Sequence, residues 1–257
     1  MAYDSKFPDA AGRYDYTAEE KAVWGELFTR QIAFLDGRIC PEYLDGIAQL
    51  GLGDHDVPQL LDVDKRLASL TNFGVSGVPA IIPPSQFYAL LADRKFPVAT
   101  FLRRREDMDY IEEPDLFHEV FGHCPLLTNQ AYTDFIEAFG KIAVDLGKGY
   151  RWHLFRLFWF TIEFGMIRTA DGLRGYGAGI ASSPSEADFA CSGKAVYTPA
   201  DLMTMLRTPY RIDIVQPQYF VIDSFEDLPK LLETDLKIAI DEAKAKGDLP
   251  ALFEKAA

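Results

Sequence analysis

One carboxylate stands inside the most apolar stretch of this chain, and that pairing limits the folds open to it. The stretch is Leu157-Phe158-Trp159-Phe160-Thr161-Ile162-Glu163-Phe164-Gly165-Met166-Ile167. A segment this apolar has to be buried. An ionised carboxylate buried with it is costly unless it is paired or metal-bound. The fold must therefore bring a partner to Glu163. Arg156 and Arg168 are nearby cations that could neutralise it, and a metal ion is the other solution.

Two of the chain's four histidines offer that second solution. They lie in Pro114-Asp115-Leu116-Phe117-His118-Glu119-Val120-Phe121-Gly122-His123-Cys124-Pro125, five positions apart. Two imidazoles and one carboxylate form the facial set that holds non-haem Fe(II) with positions left open for oxygen chemistry. Spacing separates this from a zinc hydrolase of the His-Glu-x-x-His type, whose ligands are four apart on one helical face. At roughly 100° per residue, a spacing of five puts the two rings about 140° apart on an ideal α-helix. Convergence then requires the helix to end between them. Gly122 and Pro125 are residues that end helices, so His118 is expected on the last turns of a helix and His123 on the turn leaving it.

The rest of the chain excludes several functions. A net charge of −13 argues against a nucleic-acid backbone or an anionic membrane as the main partner. The longest apolar run, residues 154–167, is interrupted by Arg156 and Glu163 and is shorter than the roughly 20 residues of a membrane span. Cys40, Cys124 and Cys191 are odd in number and widely spaced, which fits reduced thiols in a cytoplasmic protein. Gly175-Tyr176-Gly177-Ala178-Gly179 resembles a nucleotide loop, but no strand precedes it and no ribose-binding acid follows. His55 and His153 have no partner pattern and read as surface or structural residues.

Periodicity predicts one domain, α+β but mainly α, with irregularly arranged helices and minor β. Residues 1–16 read as an extended arm. Thr17 and Glu20 form a capping box for a first helix running to Gly37. Further helices are expected over 41–50, 58–70, 84–92, 130–146, 152–169, 202–206 and 228–244. Residues 71–83 read as loop and short strand, 96–101 as a strand, and 210–222 as a strand or hairpin. Residues 103–109 read as a charged loop and 172–185 as a Gly/Ser-rich one.

These motifs together resemble the catalytic domain of the pterin-dependent aromatic amino acid hydroxylases. The segments that carry the resemblance are Glu113-Pro114-Asp115 through Pro125, Trp159 through Gly165, Tyr176-Gly177-Ala178-Gly179 with Ser182-Ser183, and Gln216-Pro217-Gln218-Tyr219-Phe220. Weaker similarity spans residues 17–230. The resemblance implies a helical basket with minor β, and Fe(2+) bound by His118, His123 and Glu163. It implies a tetrahydropterin (tetrahydrobiopterin or a bacterial analogue) lying against Phe87, with main-chain contacts from residues 80–85, including Ile82, and a polar contact from Glu119.

On the substrate side, the resemblance implies that Arg103, braced by Asp115, holds the carboxylate of L-phenylalanine. Pro114, Trp159 and Phe164 would shape the aromatic pocket, and Ser182 would hydrogen-bond near the first histidine. The implied reaction is hydroxylation of L-phenylalanine to L-tyrosine with dioxygen. A tryptophan hydroxylase on the same scaffold is the nearest alternative, although Trp159 favours phenylalanine or tyrosine as substrate. Phe158 stands where relatives often carry Tyr. Ile82, Pro83 and Pro84 replace more polar pterin-loop residues. No regulatory domain is read before the catalytic part and no tetramerisation helix after it, so a monomer is expected.

Overall fold

Helix α1 (Ala18–Phe34) starts at the capping box that its sequence specifies. Glu20 N–H donates to Thr17 Oγ1 at 3.2 Å, and Thr17 N–H donates to the Glu20 carboxylate at 2.7 Å. Its inner face buries Val23, Trp24, Leu27 and Phe28. Helix α2 (Pro41–Leu50) has Pro at its first position and stops at Gly51, which takes the left-handed conformation. Helix α3 (Leu60–Thr71) stops at Asn72, also left-handed. The computed structural model describes residues 3–79 and 81–254. Met1, Ala2 and Ala80, the last a member of the expected pterin loop, lie outside the described residues.

Strand β1 (Gly74–Val78) runs parallel to β2 (Lys95–Ala99), with α4 (Pro84–Ala92) as the crossover. Helix α5 (Gln130–Leu146) packs closely on α4. A Cβ added at Gly140 would lie 2.4 Å from the backbone nitrogen of Ala92, so only glycine permits this approach. The arm at residues 3–16 is fastened to the end of β2. Lys6 exchanges two hydrogen bonds with Thr100 Oγ1, at 3.1 and 2.9 Å, and the Tyr3 ring stacks on Phe101 at 4.8 Å.

The second half departs from the expected elements. Helix α6 covers Arg151–Phe158, a π-helical turn follows over Trp159–Glu163, and Gly165–Thr169 is strand β3. The expected helix over 152–169 therefore ends at Glu163. A buried strand and a buried helix are equally apolar, and periodicity alone does not separate them. Residues 172–185, expected as loop, hold strand β4 (Gly172–Gly175), helix α7 (Ala178–Ser182) and the start of α8 (Pro184–Ala190). Periodicity does not predict strand β5 (Val196–Pro199), whereas it does predict helix α9 (Leu202–Arg207).

Of residues 210–222, only β6 (Gln218–Ile222) is a strand. The expected helix over 228–244 divides into α10 (Asp227–Lys230) and α11 (Leu236–Lys246), because Asp235 caps a new helix by accepting from the N–H groups of Lys237 and Ile238. The strand order is β4-β3-β6-β5, with β3 and β4 antiparallel and the other pairs parallel. One contiguous apolar cluster runs from Tyr16 to Ala243 and encloses the histidine segment. Among the described residues, no helix is long and apolar enough to cross a membrane.

Candidate metal centre and aromatic pocket

The two histidines converge by a route that ideal helix geometry hides. The helical segment does not end at Gly122. It widens into a π-helical turn over His118–His123 and then tightens into a 3-10 turn over Cys124–Thr128, with Pro125 near its start. In a π turn the hydrogen bonds run from residue i+5 to residue i, so positions five apart stack one above the other. The spacing of five thus places both imidazoles on one side. Glu163 closes the second π turn, where Phe164 N–H donates to Trp159 C=O at 2.9 Å. Single π turns are rare and concentrate at functional sites, and this site is built from two.

Gly177 and Gly179 bring a third segment against that carboxylate. A Cβ at Gly177 would lie 2.2 Å from the Glu163 carbonyl oxygen, and one at Gly179 would lie 2.5 Å from Phe164 Cζ. The glycine run that looks like a nucleotide loop is therefore a close-packing device. It seats α7, and with it Ser182, beside His118.

His118, His123 and Glu163 each offer one ligand atom, all within 4.8 Å of one another. His118 Nε2 lies 3.2 Å from His123 Nε2, and His123 Nε2 lies 3.1 Å from Glu163 Oε1. The second carboxylate oxygen, Oε2, is 3.6 Å from His118 Nε2. Ligands at right angles around an ion about 2.1 Å from each are about 3 Å apart, close to these separations. Neither arginine is the partner of Glu163. Arg156 makes two bonds to Asp248, at 2.6 and 2.8 Å, and Arg168 pairs with Asp223 at 3.1 Å.

The hydrogen bonds also fix the tautomer of His118. The Ser182 hydroxyl donates to Ala178 C=O at 2.9 Å, so its 2.9 Å contact with His118 Nδ1 has the imidazole N–H as donor. The lone pair is left on Nε2, facing Glu163. Burial pushes the His118 imidazole down to about 4, against the opposing pull of the Glu163 carboxylate, which keeps the ring neutral as a ligand must be. His123 is 2% exposed, packs tilted against Phe96 with ring centroids 4.4 Å apart, and has no partner for its buried Nδ1. These donors fit a cation.

Removing the Ser182 hydroxyl should loosen the site without touching it. Ser182→Ala is expected to weaken metal binding about 10- to 100-fold, the usual cost of losing a group that orients a ligating imidazole. Metal titration checks this, and unchanged affinity would refute the tautomer assignment.

Arg103 and Asp115 form a buried pair beside this centre. Asp115 accepts from Arg103 N (2.9 Å), Nε (2.9 Å) and Nη2 (2.8 Å), and from His118 N (3.0 Å). One aspartate thus braces both an arginine and the start of the histidine turn. Arg103 Nη1 has no protein partner among the described residues and is free to take an anion. Glu119 Oε2 is 3.9 Å from His123 Nε2. Burial, with the charges of Glu163 and Asp115, raises its carboxyl well above the ordinary range.

Aromatic rings cluster near the centre. Trp159 packs on Phe164 at 4.5 Å. Phe87 meets Phe158 edge-on at 5.2 Å, and Phe158 lies 6.4 Å from the His123 ring. Pro114 and Ile82 are half-buried, and no polar contact of either is present among the described residues. Two buried polar residues received no role from the sequence. Gln216 bonds to the Trp159 indole, and Glu186 holds Gln216. A glutamate in the first turn of a helix is ordinary, so only the fold reveals that Glu186 is buried.

Comparison with known proteins gives consistent results. A family model described as biopterin-dependent aromatic amino acid hydroxylase matches residues 1–238. The chain is 45% identical over 251 residues to a phenylalanine-4-hydroxylase of Pseudomonas aeruginosa, covering 98% of this chain and 96% of that one. The apo structure of the cold-active phenylalanine hydroxylase from Colwellia psychrerythraea superposes with a TM-score of 0.94 at 46% identity, covering 97% of each chain. A Chromobacterium violaceum phenylalanine hydroxylase solved with bound oxidised Fe(III) gives a TM-score of 0.90 at 38% identity, covering 98% of this chain and 92% of that one.

Proposed function

This chain belongs to the biopterin-dependent aromatic amino acid hydroxylase family, and on that premise we propose that it hydroxylates L-phenylalanine to L-tyrosine with dioxygen and a tetrahydropterin. The observation that carries the reading is the convergence of His118, His123 and Glu163 at 3.1 to 3.6 Å. These three residues would hold iron(II) on one face. Bound iron, with the reduced pterin, supplies the electrons that let dioxygen react with a closed-shell aromatic ring.

The protein's own part is binding, orientation and exclusion of water. Arg103 Nη1 would take the substrate carboxylate while Asp115 holds the rest of the guanidinium in place. Trp159, Phe164 and Pro114 would wall the ring. Phe87 offers a face for the pterin, and the Glu119 carboxyl offers it a polar contact. Ile82 supplies only apolar and main-chain contact, which suits the body of a pterin more than a polar tail. Ser182 would keep His118 Nε2 aimed inward.

Product identification tests the reading. Iron(II)-loaded protein given a tetrahydropterin, dioxygen and phenylalanine should form tyrosine in step with pterin oxidation. Formation of 5-hydroxytryptophan from tryptophan, with no tyrosine from phenylalanine, would overturn the substrate. Arg103→Lys keeps a charge but loses the planar fork. It should raise KM for phenylalanine about tenfold or more, the cost of a charge-assisted hydrogen bond, with a smaller change in kcat. An unchanged KM would remove Arg103 from the carboxylate site.

The same reading includes a single catalytic domain that works as a monomer in the cytoplasm. The continuous core supports the first part. Three unpaired cysteines are consistent with a reducing compartment. Sedimentation equilibrium would read the mass of one chain.

A further inference from the structure

Trp159 is fixed more firmly than its role as a wall requires. Its indole N–H donates to Gln216 Oε1 at 3.0 Å, and its ring stacks on Tyr210 at 4.7 Å. The amide of Gln216 cannot turn over. Both Nε2 hydrogens are used, one on Arg211 C=O and one on Ile214 C=O, each at 2.8 Å. A flip would set oxygen against two carbonyls and NH2 against the indole N–H. Pro217 follows and confines the Gln216 backbone to extended conformations.

Gln216 is anchored in turn. Its backbone N–H donates to the Glu186 carboxylate at 2.9 and 3.3 Å, and Tyr219 O–H donates to the same carboxylate at 3.2 Å. Gln216 is 2% exposed and Glu186 5%. Neither residue is among the groups that converge at the metal centre. A buried polar network of this kind adds little stability over a well-packed apolar one, but it holds a single geometry.

We propose that Gln216, anchored by Glu186, is a positioning residue that fixes the plane of the Trp159 indole and thereby sets which aromatic ring the pocket admits. The proposal rests on the hydroxylase reading above. On this proposal the clamped indole would admit a six-membered ring and exclude a bicyclic one. A released indole can swing on its side-chain torsions and let the larger ring enter. The Gln216–Glu186 pair would act on selectivity between phenylalanine and tryptophan only through Trp159.

The test measures amino acid binding, so it does not depend on turnover. Dissociation constants for L-phenylalanine and L-tryptophan are measured by anaerobic calorimetry on iron(II)-loaded protein, for wild type, Q216M, W159F and the double variant. Q216M should cut the preference for phenylalanine about tenfold, the worth of a lost buried hydrogen bond. In the W159F background the same change should move it less than about twofold, since non-additivity marks residues that act through each other.

E186M should follow Q216M. E186Q keeps an acceptor for both donors and should stay near wild type. An unchanged preference in Q216M, or an equal shift in both backgrounds, would overturn the proposal. If Q216M does not fold, E186M and E186Q carry the test, and equal preferences in those two variants would overturn it. Wild-type protein that binds selectively but makes no tyrosine would refute the hydroxylase reading and leave the clamp standing. Protein that binds neither amino acid would overturn both.

Discussion

Glu163→Gln is expected to strip the protein of iron while leaving the metal-free fold as stable as before. The carboxylate has no arginine or lysine partner among the described residues. Its neighbours are His123 at 3.1 Å and His118 at 3.6 Å. In the absence of metal, no arginine or lysine offsets the burial of this carboxylate, and a neutral amide of the same size removes a buried charge. With metal, the amide loses the one anionic ligand. Loss of an outer orienting group costs about 10- to 100-fold in affinity, so loss of a ligand should exceed that range.

Thermal unfolding separates the two effects. Wild type should gain about 2.7 kcal/mol of stability at iron(II) a hundredfold above its dissociation constant, and the variant should gain almost none. Metal analysis after gentle purification should find the variant nearly empty, and its hydroxylation should be lost with the metal. A variant that keeps one iron per chain and turns over would show that Glu163 is not a ligand. A large drop in the melting temperature of the metal-free variant would show that the carboxylate serves the fold instead.

The sequence identified this centre better than it described its geometry. Two histidines and a glutamate stood out because charged or ligating groups in apolar surroundings need a reason. The route by which they meet was hidden, because α-helical phase puts positions five apart on different sides, and only a π turn returns them to one side. Gly122 reads as a helix stop, yet it lies inside that turn, and Pro125 sits near the start of a 3-10 continuation. Residues 165–169 misled in another way. Met166 and Ile167 are buried in β3 against Val221 and Ile222, where a strand is as apolar as the helix before it.

The glycines at 177 and 179 were visible as a motif, but close approach of two backbones cannot be read from one segment alone. Glu186 and Gln216 are further from reach. Their roles depend on a loop folding back across thirty positions of sequence, which no local pattern encodes.

Asp115→Asn should be the most damaging single change outside the three converging residues, because one carboxylate there accepts four hydrogen bonds at 2.8 to 3.0 Å. The asparagine cannot match that acceptor set, and its NH2 would face the guanidinium. Arg103, 6% exposed, would be left charged and largely unpaired. Breaking a buried pair in this way costs about 3 to 5 kcal/mol. For a chain of this size that is a fall in Tm of roughly 10 °C. The same change frees the N–H of His118 and the aim of Arg103, so metal affinity and KM for phenylalanine should both worsen.

Acid sensitivity gives a second measure of the pair. Burial alone would raise the Asp115 carboxyl, but the charge and hydrogen bonds of Arg103, with the N–H of His118, outweigh it and hold the group below its ordinary value. A carboxyl lowered by folding binds fewer protons in the native state than in the unfolded one. Its stabilisation is full above about pH 4, the unfolded value, and is lost as pH falls through the lower native value. Wild type should therefore lose stability steeply below about pH 4, and Asp115→Asn, already weaker at neutral pH, should show a flatter acid limb. Equal slopes for the two proteins between pH 2 and 4, measured by denaturant unfolding on metal-free samples, would mean that Asp115 is not the charged anchor of Arg103.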